Sequence, residues 1–316
     1  MSINYFMAYI ACQRIKGIDY YYIVENIQVG SHERKQARKY LGNKKPTTDE
    51  ARKMIREFES KMDEVRKKIL GHYYISHPDI EAVDSITKLF WERYNALNPT
   101  EKEQFDENFA TMFVFNTNSI EGSTLTPKEV ELLLTEDISP NKPLEDVLQA
   151  KAVQRALEYV KNYSGELTEE FVSTIHEICF RETKPYIAGK YKAKNNSIRA
   201  SKFEPTPVQY VITDMKNFFK EYEEKKNEFH PLELASWVHW RIVRIHPFQD
   251  GNGRTARLLM NYVLQKHRYP MIDIKTKDKK NYFNTLERCH KQNNAQPLAL
   301  RLVKRFKKQY QNALKD

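Results

Sequence analysis

Residues 5–41 carry their apolar positions in short runs. "NYFMAYIACQ" and "DYYYIVENIQV" are rich in Tyr, Ile and Val, "KGID" between them supplies a turn, and "ERKQARKYLG" offers a third strand of a small curled sheet. The period then changes. In "TTDEARKMIREFESKMDEVRKKIL" a capping box, Thr47 to Glu50, precedes Met54, Ile55, Phe58, Met62, Val65 and Ile69 at helical spacing. Residues 1–70 are therefore expected to form a small β-rich N-terminal module with a helical connector.

From about residue 76 onward amphipathic helices repeat. The pattern predicts helices over 83–97, 101–117, 127–135, 143–162 and 168–181, then 206–226, 231–245, 253–267, 279–291 and 296–313. Thr126-Pro127 and Thr168 with Glu169 and Glu170 are helix-start signals. One interruption, "GKYKAKNNSIRASKFEPTP" over 189–207, sets Asn195-Asn196 between short extended segments and predicts a β-hairpin. The expected fold is mostly α over 76–316, carrying a hairpin flap and preceded by the β-containing module. Neither a Walker A nor a G-x-G-x-x-G pattern occurs, which disfavours ordinary P-loop and Rossmann sites.

Composition narrows the class. A 316-residue chain with 40% hydrophobic residues can bury a sizeable core. Cys12, Cys179 and Cys289 are odd in number and lack C-x-x-C spacing, so neither a disulfide framework nor a zinc site is expected, and a reducing cytoplasm fits. No run reaches the length of a membrane span, and the first residues lack the basic start and cleavage site of a signal peptide. The net charge of +10 is uneven: +6 over 1–70 (15 basic, 9 acidic), −6 over 71–265 (23 and 29) and +10 over 266–316 (14 and 4). Basic ends suit nucleic acid, an acidic partner or simply water.

The chemistry concentrates in "RIHPFQDGNGRTARLLMNYVL", residues 241–261. Pro247 stops one helix, and a second begins near Gly253, so the intervening loop receives the free N–H groups of the second helix. Gly251 and Gly253 allow close backbone approach to an anion, which the helix N-terminus favours. Arg254 and Arg257, three apart, can engage adjacent phosphates, Asp250 is a hard oxygen ligand suited to Mg²⁺, and His246 can take a proton near neutral pH.

"HPFQDGNGRTAR" matches throughout the motif H-P-F-x-[D/E]-G-N-G-R-x-x-R and resembles the Fic family of nucleotidyl transferases, the similarity extending over roughly residues 100–300. The resemblance implies a protein adenylyltransferase. His246 takes the proton from a Tyr, Thr or Ser hydroxyl of a target protein as it attacks the α-phosphate of ATP, Phe248 packs inward, and Asp250 binds Mg²⁺. Asn252, with the N–H groups near Gly251 and Gly253, holds the phosphates, and Arg254 and Arg257 contact the diphosphate that leaves. Residues 189–207 resemble the family's flap, with Ile198 and Arg199 against the target. Tyr282 and Phe283 match an aromatic pair used for adenine, while His290 stands where the family often has Asn.

"TNSIEG", Thr117 to Gly122, resembles the family's inhibitory motif [S/T]-x-x-x-E-[G/N], with an inhibitory helix expected around 101–122. The resemblance makes Arg257 the partner of Glu121, so that an occupied arginine misplaces the γ-phosphate; removal of AMP from the target is a reverse activity open to such a glutamate. Self-labelling and homo-oligomerisation are further expectations. The alternatives are a Doc-like protein kinase and a nucleic-acid-binding regulator with a vestigial Fic domain.

Overall fold

The computed structural model describes residues 8–28, 34–70, 73–198, 201 and 203–311. The chain divides into two units, Met1–Pro78 and Asp79–Asp316. In the first, β1 (Tyr9–Ile15), β2 (Ile18–Gln28) and β3 (Arg34–Gly42) form an antiparallel sheet in that order, followed by α1 (Thr48–Leu70). Lys16 and Gly17, both at positive φ (49° and 81°), make the two-residue turn whose twist suits the β1–β2 hairpin. One face of the sheet, through Ala8, Ile23 and Ala37, packs against Phe58 and Met62 of α1. The Thr47 capping box starts α1: Glu50 Oε2 accepts from the Thr47 N–H at 2.9 Å.

The second unit is helical: α2 (His77–Ala96), α3 (Pro99–Glu121), α4 (Pro127–Thr135), α5 (Leu144–Asn162), α6 (Glu169–Phe180), α7 (Val211–Lys225), α8 (Pro231–Ile245), α9 (Asn252–Lys266), α10 (Lys279–Gln292) and α11 (Gln296–Tyr310). At its centre lie α8 and α9. Twelve of the fifteen residues in each are buried, so these two are core helices rather than one-sided surface ones, and both ends of the loop between them are anchored in the core. Among the described residues no helix is long and apolar enough to cross a membrane.

Several elements differ from the periodicity expectation: α2 starts six residues early, at His77, and α7 five residues late, at Val211. Helix α3 runs four residues past the periodic span ending at 117, to Glu121, as the inhibitory motif implied, and ends on Gly122 at φ 115°. Residues 116–119, Asn-Thr-Asn-Ser, are mediocre helix formers, but Asn116 Nδ2 donates to Asp273 Oδ2 and its Oδ1 accepts from the Thr276 N–H, both at 2.8 Å. Tertiary hydrogen bonds override propensity there. The segment expected as a β-hairpin is instead irregular over its described residues, with one antiparallel bridge, Tyr191 to Phe248. The asparagines read as its turn bond to backbone outside the segment: Asn195 Oδ1 accepts from the Val208 N–H at 2.8 Å, and Asn196 Nδ2 donates to Phe248 O at 2.9 Å. Satisfying outside backbone groups replaces pairing within the segment.

Candidate active site

The site begins where α8 ends. His246 is its C-terminal cap, in the left-handed region at φ 54° and ψ 56°, a conformation unusual for a residue with a Cβ and held here by the surrounding structure. Pro247 then prevents any continuation of the helix. Phe248 is fully buried, its ring stacked on His176 at 3.8 Å and 5° between planes. Asn252 clasps the main chain of Phe248, Oδ1 accepting from its N–H at 2.9 Å and Nδ2 donating to its carbonyl at 2.8 Å. These two hydrogen bonds tie the Asn252 amide to the main chain of the loop, and the residue also lines the cavity.

His176, on α6, locks the loop from beneath. Its Nδ1 accepts from the Gly189 N–H at 3.0 Å, so Nε2 carries the proton and donates to Asp250 O at 3.0 Å. Burial pushes the His176 pKa down to about 4, which keeps this arrangement neutral. Gly251 has φ +74°, and a Cβ there would meet Phe180 Cε2 at 2.0 Å. Both the dihedral and the aromatic ring demand glycine. Gly251→Ala is expected to cost about 2–4 kcal/mol of stability by combining left-handed strain with overpacking; a urea midpoint unchanged from wild type would contradict this.

These constraints line a cavity of ≈ 470 Å³ with His246, Asp250, Gly251, Asn252, Gly253, Arg254 and Arg257, and bring Glu121, Ile198, Tyr282, Phe283 and His290 to the same space. Arg199 lies outside the described residues. The partly buried His246 has Nδ1 3.3 Å from Val243 O; a carbonyl only accepts, so Nδ1 holds the proton and the Nε2 lone pair is the one available for chemistry. Desolvation lowers the His246 pKa to about 4, so the imidazole is neutral through the physiological range.

Around it stand the charges. The Arg254 side chain is 3% exposed; it donates to Gln149 Oε1 at 2.9 Å and lies 4.5 Å above the Phe180 ring. The Arg257 side chain, 2% exposed, donates from Nε to Thr117 Oγ1 at 2.6 Å and from a terminal nitrogen to Thr117 O at 3.1 Å and Glu121 Oε1 at 2.7 Å, with the Tyr282 hydroxyl also beside it. Glu121 closes the last turn of α3, which contains no basic residue. An acidic side chain at a helix C-terminus opposes the helix dipole, so its position depends on a partner outside the helix. Burial by itself would raise the Glu121 pKa, but Arg257 and Arg254 together pull it below the usual carboxylate range. A Cβ on Gly253 would come within 2.5 Å of Glu121 Oε1, so the close approach that this glycine permits is made here by a carboxylate.

Asp250 shows the complementary arrangement. Its Oδ2 accepts from Lys184 Nζ at 2.7 Å and its Oδ1 from the Gly251 N–H at 2.6 Å. Burial opposes ionisation, but Lys184 and Arg254 outweigh it and depress the pKa. Among the described residues no group of three or more His, Cys, Asp or Glu could hold a metal alone. One hard carboxylate beside an anion cradle fits a Mg²⁺ ion that takes its other ligands from phosphates and water.

Tyr282 lies on the cavity wall and has an interior partner as well: it is 1% exposed, and its hydroxyl pairs with His239 Nε2 at 2.8 Å. Phe283 is the more accessible of the pair, and His290 is stacked 4.1 Å from Phe203. Gln149, His176 and Lys184 were not anticipated as site residues, and none carried a local signal. Thr117 was named only as the opening residue of the inhibitory motif, its spacing of four from Glu121 placing both on one helix face.

Residues 166–264 match the model of the Fic/DOC family. Over 184 residues the chain is 30% identical to the protein adenylyltransferase Fic of Nematostella vectensis, covering 56% of this chain and 42% of that protein. It spans less than half the length of such curated relatives. The crystal structure of a Fic domain containing signaling protein from Bacteroides thetaiotaomicron is 31% identical with a TM-score of 0.67, covering 75% of this chain and 97% of that one. Fic-1 from Caenorhabditis elegans, 22% identical, shares the fold with a TM-score of 0.66 over 84% of this chain and 77% of that one.

Proposed function

The chain belongs to the Fic/DOC family, and from that membership we propose that it moves AMP from ATP to a Tyr, Thr or Ser hydroxyl of a target protein. The observation that carries the reading is the neutral His246, its Nε2 lone pair available, in the same cavity as the N-terminus of α9 and two buried arginines. A base of this kind takes the proton from the target hydroxyl as its oxygen bonds to the α-phosphorus; the bond from that phosphorus to the bridging oxygen breaks, and pyrophosphate leaves. Arg254, Arg257 and the N–H groups opening α9 stabilise the charge that accumulates on the departing phosphates. Asp250 would hold Mg²⁺, whose contribution is charge neutralisation between phosphates. Ile198, on the cavity wall, is placed to meet the target segment.

In this reading the resting site is filled by its own side chains. Glu121 supplies an anion to Arg257, and Lys184 supplies a cation to Asp250. ATP and Mg²⁺ would take over both partners, so Glu121 acts as an internal brake. A reoriented Glu121 carboxylate beside a bound AMP–protein product could direct water at the phosphorus, which gives the reverse hydrolysis.

The test uses ATP labelled at either the α- or the γ-phosphorus, with Mg²⁺ and with the protein itself as first acceptor. Covalent label is expected from α-labelled ATP alone. Label transferred from the γ-position would establish phosphate transfer and overturn the proposal.

A further inference from the structure

The first unit carries a surface that AMP transfer does not use. Strand alternation sends Ile10, Ile23, Ala37 and Leu41 toward α1. The intervening side chains form the opposite face; Val24 at its centre is buried, 2% exposed, while the polar tips around it reach the surface. There Arg38 lies 4.1 Å over the Tyr22 ring and donates to Gln13 Oε1 at 3.0 Å, while Gln36 Nε2 donates to Asn26 Oδ1 at 3.0 Å. These bonds run between strands, so the polar tips are ordered in advance. Gln13, Gln36, Arg38 and Tyr40 are exposed.

The charge of this face is one-sided. The acidic residues within the three strands, Asp19 and Glu25, share the parity of Ile23 and so fall on the α1 side, leaving none on the open face. Exposed Lys16, Lys44 and Lys45 flank the sheet, in a unit with 15 basic and 9 acidic residues. An ordered, acid-free surface with a basic rim is complementary to a polyanion.

We propose that this open face of the β1–β3 sheet docks double-stranded DNA. Arg, Gln and Asn are the side chains that pair bidentately with purine edges in the major groove. The outer strands of a three-stranded sheet stand roughly 10 Å apart, and the groove is about 12 Å wide. A single strand is disfavoured because its bases need flat aromatic platforms. Here Tyr40 is tilted 52° from Tyr22 and 44° from Tyr20, and Arg38 already caps Tyr22.

The test is fluorescence anisotropy of a labelled mixed-sequence duplex and of the corresponding single strand, titrated with the full chain. The duplex is expected to bind more tightly than the single strand. With three phosphates neutralised, its affinity falls roughly 40-fold between about 50 and 200 mM salt. Arg38→Gln should weaken duplex binding roughly tenfold, whereas Arg56→Gln, an equal charge change at an exposed position of α1, should stay within about twofold. Gln13→Ala keeps the charge and the hydrophobic core and should also weaken binding, so a folding defect in one variant does not decide the matter. Absence of duplex binding at low salt, equal or better binding of the single strand, or equal losses in the Arg38 and Arg56 variants would each overturn the proposal.

Discussion

Glu121→Gly increases the incorporation of α-labelled AMP roughly 10- to 100-fold over wild type, the equivalent of one charge-assisted hydrogen bond no longer competing for Arg257. The argument is one of exclusive occupancy. Arg257 is almost wholly buried; it donates twice to Thr117 and once to Glu121, with the Tyr282 hydroxyl also beside it. Among these partners only Glu121 is charged, and a phosphate could replace it. Removing it leaves a buried guanidinium without its counter-charge, which is destabilising, so the variant should also melt below wild type. ATP with Mg²⁺ should then raise its melting temperature more than it raises that of the wild type, because the nucleotide restores the missing anion. Equal labelling of the two proteins, or equal thermal shifts, would remove the brake from the account.

His246→Ala, made in the Glu121→Gly background, lowers labelling by roughly 10²- to 10⁴-fold, the range of a lost general base. The effect is measured there because a restrained wild type leaves little rate to lose. The pH profile offers a readout that a merely structural histidine would not move. Desolvation takes His246 from its ordinary value of 6.5 to about 4 in the folded protein, so the base form persists well below neutrality. The acid limb of kcat/KM in Glu121→Gly should therefore fall toward pH 4, and a limb centred at 6 to 7 would exclude His246 as the base in this geometry. Stability runs in the same direction. Above 6.5 both folded and unfolded chains hold the imidazole neutral; as pH falls from 6.5 toward 4, only the unfolded chain takes up the proton, and stability is lost. His176 and His290, also lowered to about 4 by burial, and His239, lowered to about 3, add to that loss. Circular dichroism across the same range separates acid unfolding from titration of the base.

Sequence pattern revealed what was locally encoded. Helix α8 was expected over 231–245 and spans Pro231–Ile245; α4, expected over 127–135, spans Pro127–Thr135. In both, a proline start, a clear apolar period and a definite stop lie within the element itself. The loop from His246 to Gly253 was legible for the same reason, since its histidine, glycines and arginines are contiguous. Where the chemistry depends on distant residues, the pattern was silent. Nothing near Lys184 or His176 announces that each will reach Asp250 across more than sixty positions. Asn195 and Asn196 looked like a turn because such residues usually satisfy their own backbone, whereas here they satisfy that of Val208 and Phe248. Tyr282 matched a motif position, but the partner of its hydroxyl, His239, lies more than forty residues away and left no local signal.

The double anchorage of Arg257 on Thr117 separates two events that a helical brake could have fused. Because the guanidinium is moored to α3 by Nε and by a terminal nitrogen even without Glu121, the carboxylate can swing aside while its helix stays docked. In the proposed brake, switching would then require rotation about a few side-chain torsions, a nanosecond-scale movement, rather than the far slower detachment of a packed segment. A gate hung on one such hinge opens without any loosening of the frame.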